Sequence, residues 1–99
     1  MDNDAEVLKA ASETVTEIDL RYRAASFDDK ILLKPERDKA FHQYQAARLK
    51  LLADGMICTE ADVAEMQQLR QEVLQAAQTQ ALLNAIGRTV GFLARLAVL

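Results

Sequence analysis

The residues of this 99-residue chain best suited to nucleophilic or metal chemistry are one cysteine, Cys58, and one histidine, His42. A zinc site needs about four ligands, so these two do not make one. A Cys–His nucleophilic pair also needs an orienting group and donors for a developing oxyanion, and no spacing in the sequence supplies them. His42 therefore reads as a helix-surface residue near Phe41 or Tyr44. Cys58 reads as a small apolar residue buried in a turn, and as a lone cysteine it excludes an internal disulfide. The stretch Asp54-Gly55-Met56-Ile57, followed by Thr59-Glu60, has the look of half a calcium loop. With Gly55 at the sixth position, however, the first and third ligand positions fall on Lys50 and Leu52, and the twelfth falls on Ala61. Glu65 and Glu72 lie two helical turns apart on one face, without the buried setting or basic partner that acid–base work requires. No catalytic residue, metal ligand or cofactor is expected.

Charge points to a different kind of chemistry. The chain carries 12 basic and 15 acidic side chains, a net charge of -3, which disfavours nucleic-acid binding over the whole surface. The distribution is uneven. Residues 1–20 hold six acids and one base, residues 21–50 eight bases and four acids, and residues 51–99 three bases and five acids. The simplest reading is that the acidic first segment and the basic middle segment face each other across a helix pair or a dimer interface. Arg37, Lys39, Arg48 and Lys50 are the candidate nucleic-acid contacts of the alternative reading, in which the helices around Gly55 form a helix-turn-helix. Against it, the helix after that turn opens with Glu60, Asp62 and Glu65, where phosphates would have to approach.

The elements that position these residues are helices. Half the residues are hydrophobic, aromatics are few, Trp is absent, and β-branched residues do not alternate. The fold class is all-α: a small helical bundle of one domain, spanning residues 1–99. The first helix is expected over 4–25, with Leu8, Ala11, Val15, Ile18, Tyr22 and Ala25 in a coiled-coil-like 3-4 spacing. A connection follows over 26–34, in which Ile31-Leu32-Leu33 would plug the end of the core. Pro35 suits a first helical position, so a second helix runs over 35–54, with Ala40 or Phe41, Tyr44, Ala47, Leu51 and Leu52 on its buried side. Gly55 ends it in a left-handed conformation, and residues 55–58 form a turn. Thr59-Glu60-Ala61-Asp62 has capping-box form, and Val63 is placed to meet Cys58 as a hydrophobic staple. From there Met66, Leu69, Val73, Ala76, Leu83, Ile86, Val90, Leu93 and Ala97 predict one long C-terminal helix over 59–97, or two nearly in line. The short turn predicts that the second and third helices form an antiparallel hairpin.

A helix with so wide an apolar face needs a partner surface. Leu83, Ile86, Val90, Phe92, Leu93 and Leu96 are the candidate interface residues, for self-association as a homodimer or for another protein. Arg88 and Arg95 within the same segment argue against a membrane span. The acidic N-terminus does not have the form of a signal peptide, so a cytoplasmic location is expected.

In its layout the chain resembles the YlbF/YmcA family of small helical bacterial regulators. The similar residues run from Ala40-Phe41 to Leu52, then Gly55, Thr59-Glu60-Ala61-Asp62, Met66, Leu69, Glu72-Val73, Gln80 to Leu83, and Leu93. Two features depart from the family. Ala76-Ala77-Gln78-Thr79 holds no proline where members carry a proline-containing break, and Cys58 stands alone where some hold an iron–sulfur cluster. The resemblance implies a bacterial, cytoplasmic, non-enzymatic regulator or adaptor that acts by binding other proteins, and it carries no catalytic residue over.

Overall fold

A computed structural model describes residues 2–99. Four helices account for nearly all of them: α1 Asn3–Ala24, α2 Phe27–Asp54, α3 Glu60–Gln75 and α4 Thr79–Ala97. α1 packs on α2 and α3, and α4 packs on the same two helices from the opposite side. The ring order is therefore α1, α2, α4, α3, with α1 and α4 on one diagonal and α2 and α3 on the other. The expected hairpin of the second and third helices is corrected in this respect. α2 and α3 run in opposite directions, but the turn between them crosses the diagonal and they share no substantial interface.

Local chemistry sets each helix start. The Asp2 carboxylate accepts from the Asp4 N–H at 2.9 Å to cap α1, and Ser26 Oγ accepts from Asp29 N–H at 3.3 Å to cap α2. Thr59 and Asp62 form the reciprocal capping box of α3, and Val63 and Cys58 belong to the same apolar cluster, as the staple requires.

α2 is longer than its sequence suggests. The expected connection over 26–34 is helical, and Pro35 lies inside α2, not at its start. An interior proline removes one backbone hydrogen bond and crowds the preceding turn. Pro35 is exposed, so water can reach the Ile31 carbonyl left without its donor. The helix before it is held by the Ser26 cap and by Leu33, which is fully buried. Ile31 and Leu32 are exposed, so only Leu33 of the expected plug enters the core.

The long C-terminal helix is broken at Ala76–Gln78 although every residue there is a good helix former or neutral. The reason is tertiary. A continuous helix of 39 residues would be ~58 Å long, with nothing in a molecule 41 Å in its longest dimension to cover its apolar face. Folding back lets α4 lie along α2. The Arg21 guanidinium at the end of α1 donates to the Val73 carbonyl at 3.0 Å, which otherwise has only the long 3.4 Å bond from Ala76 N–H, and to the Ala76 carbonyl beyond the end of the helix. Thr79 Oγ1 donates to the Asp29 carboxylate at 2.9 Å and fastens the start of α4 to the start of α2.

The core has two regions. One holds Val7, Ala11, Met66, Leu69, Phe92, Leu93 and Leu96, and the other holds Ile18, Leu33, Val73, Leu82 and Ile86. Two buried threonines, Thr14 and Thr89, each donate to the carbonyl one turn back, on Ala10 at 2.7 Å and on Ala85 at 2.9 Å. Their hydroxyls therefore reach the core already satisfied.

Candidate functional site

The α2–α3 turn is the most constrained irregular segment. Gly55 has φ 66° and ψ 158°, a conformation open essentially to glycine alone, and donates its N–H to the Leu51 carbonyl at 2.9 Å. Met56 also has positive φ, 53°. Through these two residues the chain turns so that the N–H groups of Ile57 and Cys58 meet the carboxylate of Asp4, at 3.1 and 2.7 Å. Asn3 Nδ2 donates to the Cys58 carbonyl at 3.3 Å. Burial pushes the Asp4 carboxyl up, but the Cys58 and Ile57 N–H groups outweigh it and hold the group below the ordinary carboxylate range. The same burial, with the Asp4 carboxylate beside it, pushes the Cys58 thiol up to about 12. Cys58 is therefore a protonated, inert apolar group at neutral pH. His42 lies on the exposed side of α2, ~18 Å along the axis from that turn, so the two cannot form a nucleophilic pair.

The carboxylates of α3 have partners on α4. Glu72 pairs with Arg88, and Glu65 accepts from Arg95 at 3.1 Å, with Arg95 also 5.2 Å from the Phe92 ring centroid. They are rungs of an antiparallel helix pair. No group of three or more His, Cys, Asp or Glu able to hold a metal occurs among the described residues.

The candidate nucleic-acid residues are mostly occupied. Arg37 donates to the Asp19 carboxylate at 2.6 Å and lies 4.4 Å from the Tyr22 ring centroid, largely buried between α1 and α2. Here the acidic first segment meets the basic middle segment across two helices; Arg23 of the middle segment pairs with the same Asp19 at 2.8 Å, but within α1. Lys39 pairs with Glu36 and Lys50 with Asp54, both within α2. Arg48 is exposed and pairs with no acid among the described residues. The four do not converge on one open basic patch.

The candidate interface on α4 is also redirected. Ile86, Phe92, Leu93 and Leu96 are buried in the chain's own core, and Leu83 and Val90 pack against it. The apolar face that seeks a partner finds it in α2 and α3. The outer side of α4 carries Gly87 and Gly91, and a Cβ added at either would touch nothing within 4 Å.

Leu20 on α1, Met56 in the turn, Leu74 on α3 and Val98 and Leu99 at the end of the chain are exposed singly or at an end, whereas α2 leaves several large apolar side chains uncovered. Phe27 is 76% exposed, Ile31 60%, Leu49 67% and Leu52 63%. Leu52, expected on the buried side, is thus corrected to the outer one. On an ideal helix Ile31 and Leu49 point in the same direction, and Phe27 and Leu52 fall within roughly 60° of it. Four large apolar side chains therefore share one outer stripe, two near each end of α2. Helix periodicity does not reveal them, because the buried stripe through Leu33, Ala40, Ala47 and Leu51 accounts for the helix alone. The signal that exposes them is their position opposite that stripe. No helix among the described residues is long and apolar enough to cross a membrane. No family model, curated protein or solved structure matches the chain.

Proposed function

We propose that this chain is a non-enzymatic protein–protein interaction module, a regulator or adaptor whose contact surface is the outer face of α2. The observation that carries this reading is the row of Phe27, Ile31, Leu49 and Leu52, large apolar groups held on a rigid helix and left in water. Scattered apolar side chains are ordinary on a protein surface, but several aligned on one helix face mark a contact. The charges along the same helix are largely neutralised in place, by Lys34–Asp38, Lys39–Glu36 and Lys50–Asp54, which lowers the penalty for covering it. The resemblance to the YlbF/YmcA regulators points the same way.

The test is an affinity pull-down from native lysate, run with and without nuclease, with the wild-type chain and with an Ile31→Lys, Leu49→Lys variant. A stoichiometric protein retained by the wild type after nuclease treatment and lost by the variant supports the reading. A partner that disappears with nuclease would transfer the function to the basic side chains. A partner held equally by the variant would transfer it to another face.

A further inference from the structure

The outer stripe of α2 has a property that a surface for an unrelated protein does not need: it is arranged symmetrically about its own middle. Phe27 and Leu52 are equidistant from a point beside Ala40. Ile31 and Leu49 are equidistant from the same point, within about 1 Å along the axis. Asp38 and His42, both exposed, flank it on either side. Two antiparallel helices related by a two-fold axis perpendicular to them meet in this way, residue i of one copy on residue j of the other and j on i.

We infer that the face binds a second copy of this chain, with the two α2 helices antiparallel and the two-fold axis passing opposite Ala40. This rests on the contact-surface reading above and specifies the occupant. In that arrangement Phe27 of one copy packs on Leu52 of the other, and Ile31 packs on Leu49. At the centre the Asp38 carboxylate faces the imidazole of His42 in the second copy, twice over by symmetry. Asp38 is also held within its own copy by Lys34 at 3.0 Å and Arg37 at 2.9 Å, and the antiparallel direction gives its carboxylate an imidazole to accept from, where a parallel pair would set Asp38 beside Asp38. α2 is ~42 Å long, and a contact confined to one helix of that length falls at the small end of specific interfaces. A contact that small rests on few side chains, so single substitutions at Ile31 or Leu49 weaken it.

The experiment combines sedimentation with disulfide trapping on the full chain. Sedimentation equilibrium over 1–200 µM is expected to show a monomer–dimer equilibrium whose dissociation constant rises at least tenfold in Leu49→Lys. Ile31→Cys and Leu49→Cys chains, mixed under mild oxidation, are expected to form a mixed disulfide dimer rapidly. Either variant alone is expected not to link, because each new thiol then lies ~27 Å along the axis from its own counterpart. Native Cys58 is buried and does not interfere. Circular dichroism checks that each variant remains folded. A wild-type chain that is monomeric throughout, or an Ile31→Cys chain that links to itself as fast as the mixture, overturns the inference. The first result leaves the contact-surface reading to its own pull-down, where loss of a different partner by the lysine variant would sustain it.

Discussion

Replacing Asp4 tests whether the turn between α2 and α3 is held from outside by one carboxylate. The side chain accepts from Cys58 N–H at 2.7 Å in a buried setting and from Ile57 N–H at 3.1 Å in a partly buried one. A hydrogen bond to a charged group contributes ~1.5–3 kcal/mol, and a buried donor left without an acceptor costs the full desolvation of that group. Counting the Cys58 contact near ~2 kcal/mol and the more exposed Ile57 contact near ~1 kcal/mol, Asp4→Ala should destabilise the fold by about 3 kcal/mol. In a domain of this size that lowers Tm by roughly 12–24 °C. Asp4→Asn retains an oxygen but loses the charge, and its amide hydrogens confront the two donors, so it should lose at least half as much. The pH dependence is a second signature. The carboxyl titrates lower in the folded chain than in the unfolded one. Its stabilisation is therefore complete above the ordinary carboxylate value and disappears as pH falls through the lower folded-state value. Urea unfolding followed at 222 nm, from pH 7 to pH 3, measures both. The stability gap between wild type and Asp4→Asn should be widest near neutrality and should narrow below about pH 4. A loss under ~1 kcal/mol in Asp4→Ala, or a gap that stays constant over the whole range, would refute the reasoning.

Three further substitutions separate local helix chemistry from tertiary restraint. Pro35→Ala restores a donor to the Ile31 carbonyl at an exposed site inside α2, and should raise stability by about 1–3 kcal/mol in thermal unfolding. Gly87→Ala and Gly91→Ala place a methyl group in open space on α4, and each should add ~0.5–1 kcal/mol, seen as a higher urea midpoint with unchanged slope. Arg21→Met keeps the apolar stem but removes both donors to the end of α3, and should cost about 2 kcal/mol. In that variant amide exchange should quicken first around residues 76–79, whereas uniform quickening would mean that Arg21 is not the local fastener.

Part of this architecture is written in short-range pattern. The Thr59–Asp62 box, the Gly55 stop and the buried stripes through Val15, Ile18, Met66, Leu69 and Val73 obey rules that depend only on neighbours in the chain, so the structure repeats them. The rest depends on where one helix lies against another. Ala76-Ala77-Gln78 gives no local signal for a break, because the break is imposed by Arg21 from α1 and Asp29 from α2. Pro35 gives a local signal for a start, and it is overridden because Leu33 is worth burying and Ser26 supplies an earlier cap. The register of α3 against α4 was legible in principle: Glu65 and Glu72 are spaced as Arg95 and Arg88 are, and in reverse order, which is what an antiparallel pair requires. The largest displacement concerns the contact surface. In sequence, an apolar helix face looks the same whether it meets its own chain or another, so the strongest face, on α4, invites the functional reading. The fold reverses the inference, because the strongest face is the one the chain uses itself. A free surface must then be sought among apolar residues that the core stripe does not explain; on α2 these include Phe27, Ile31, Leu49 and Leu52, which share one side, and Leu32, which points away from it.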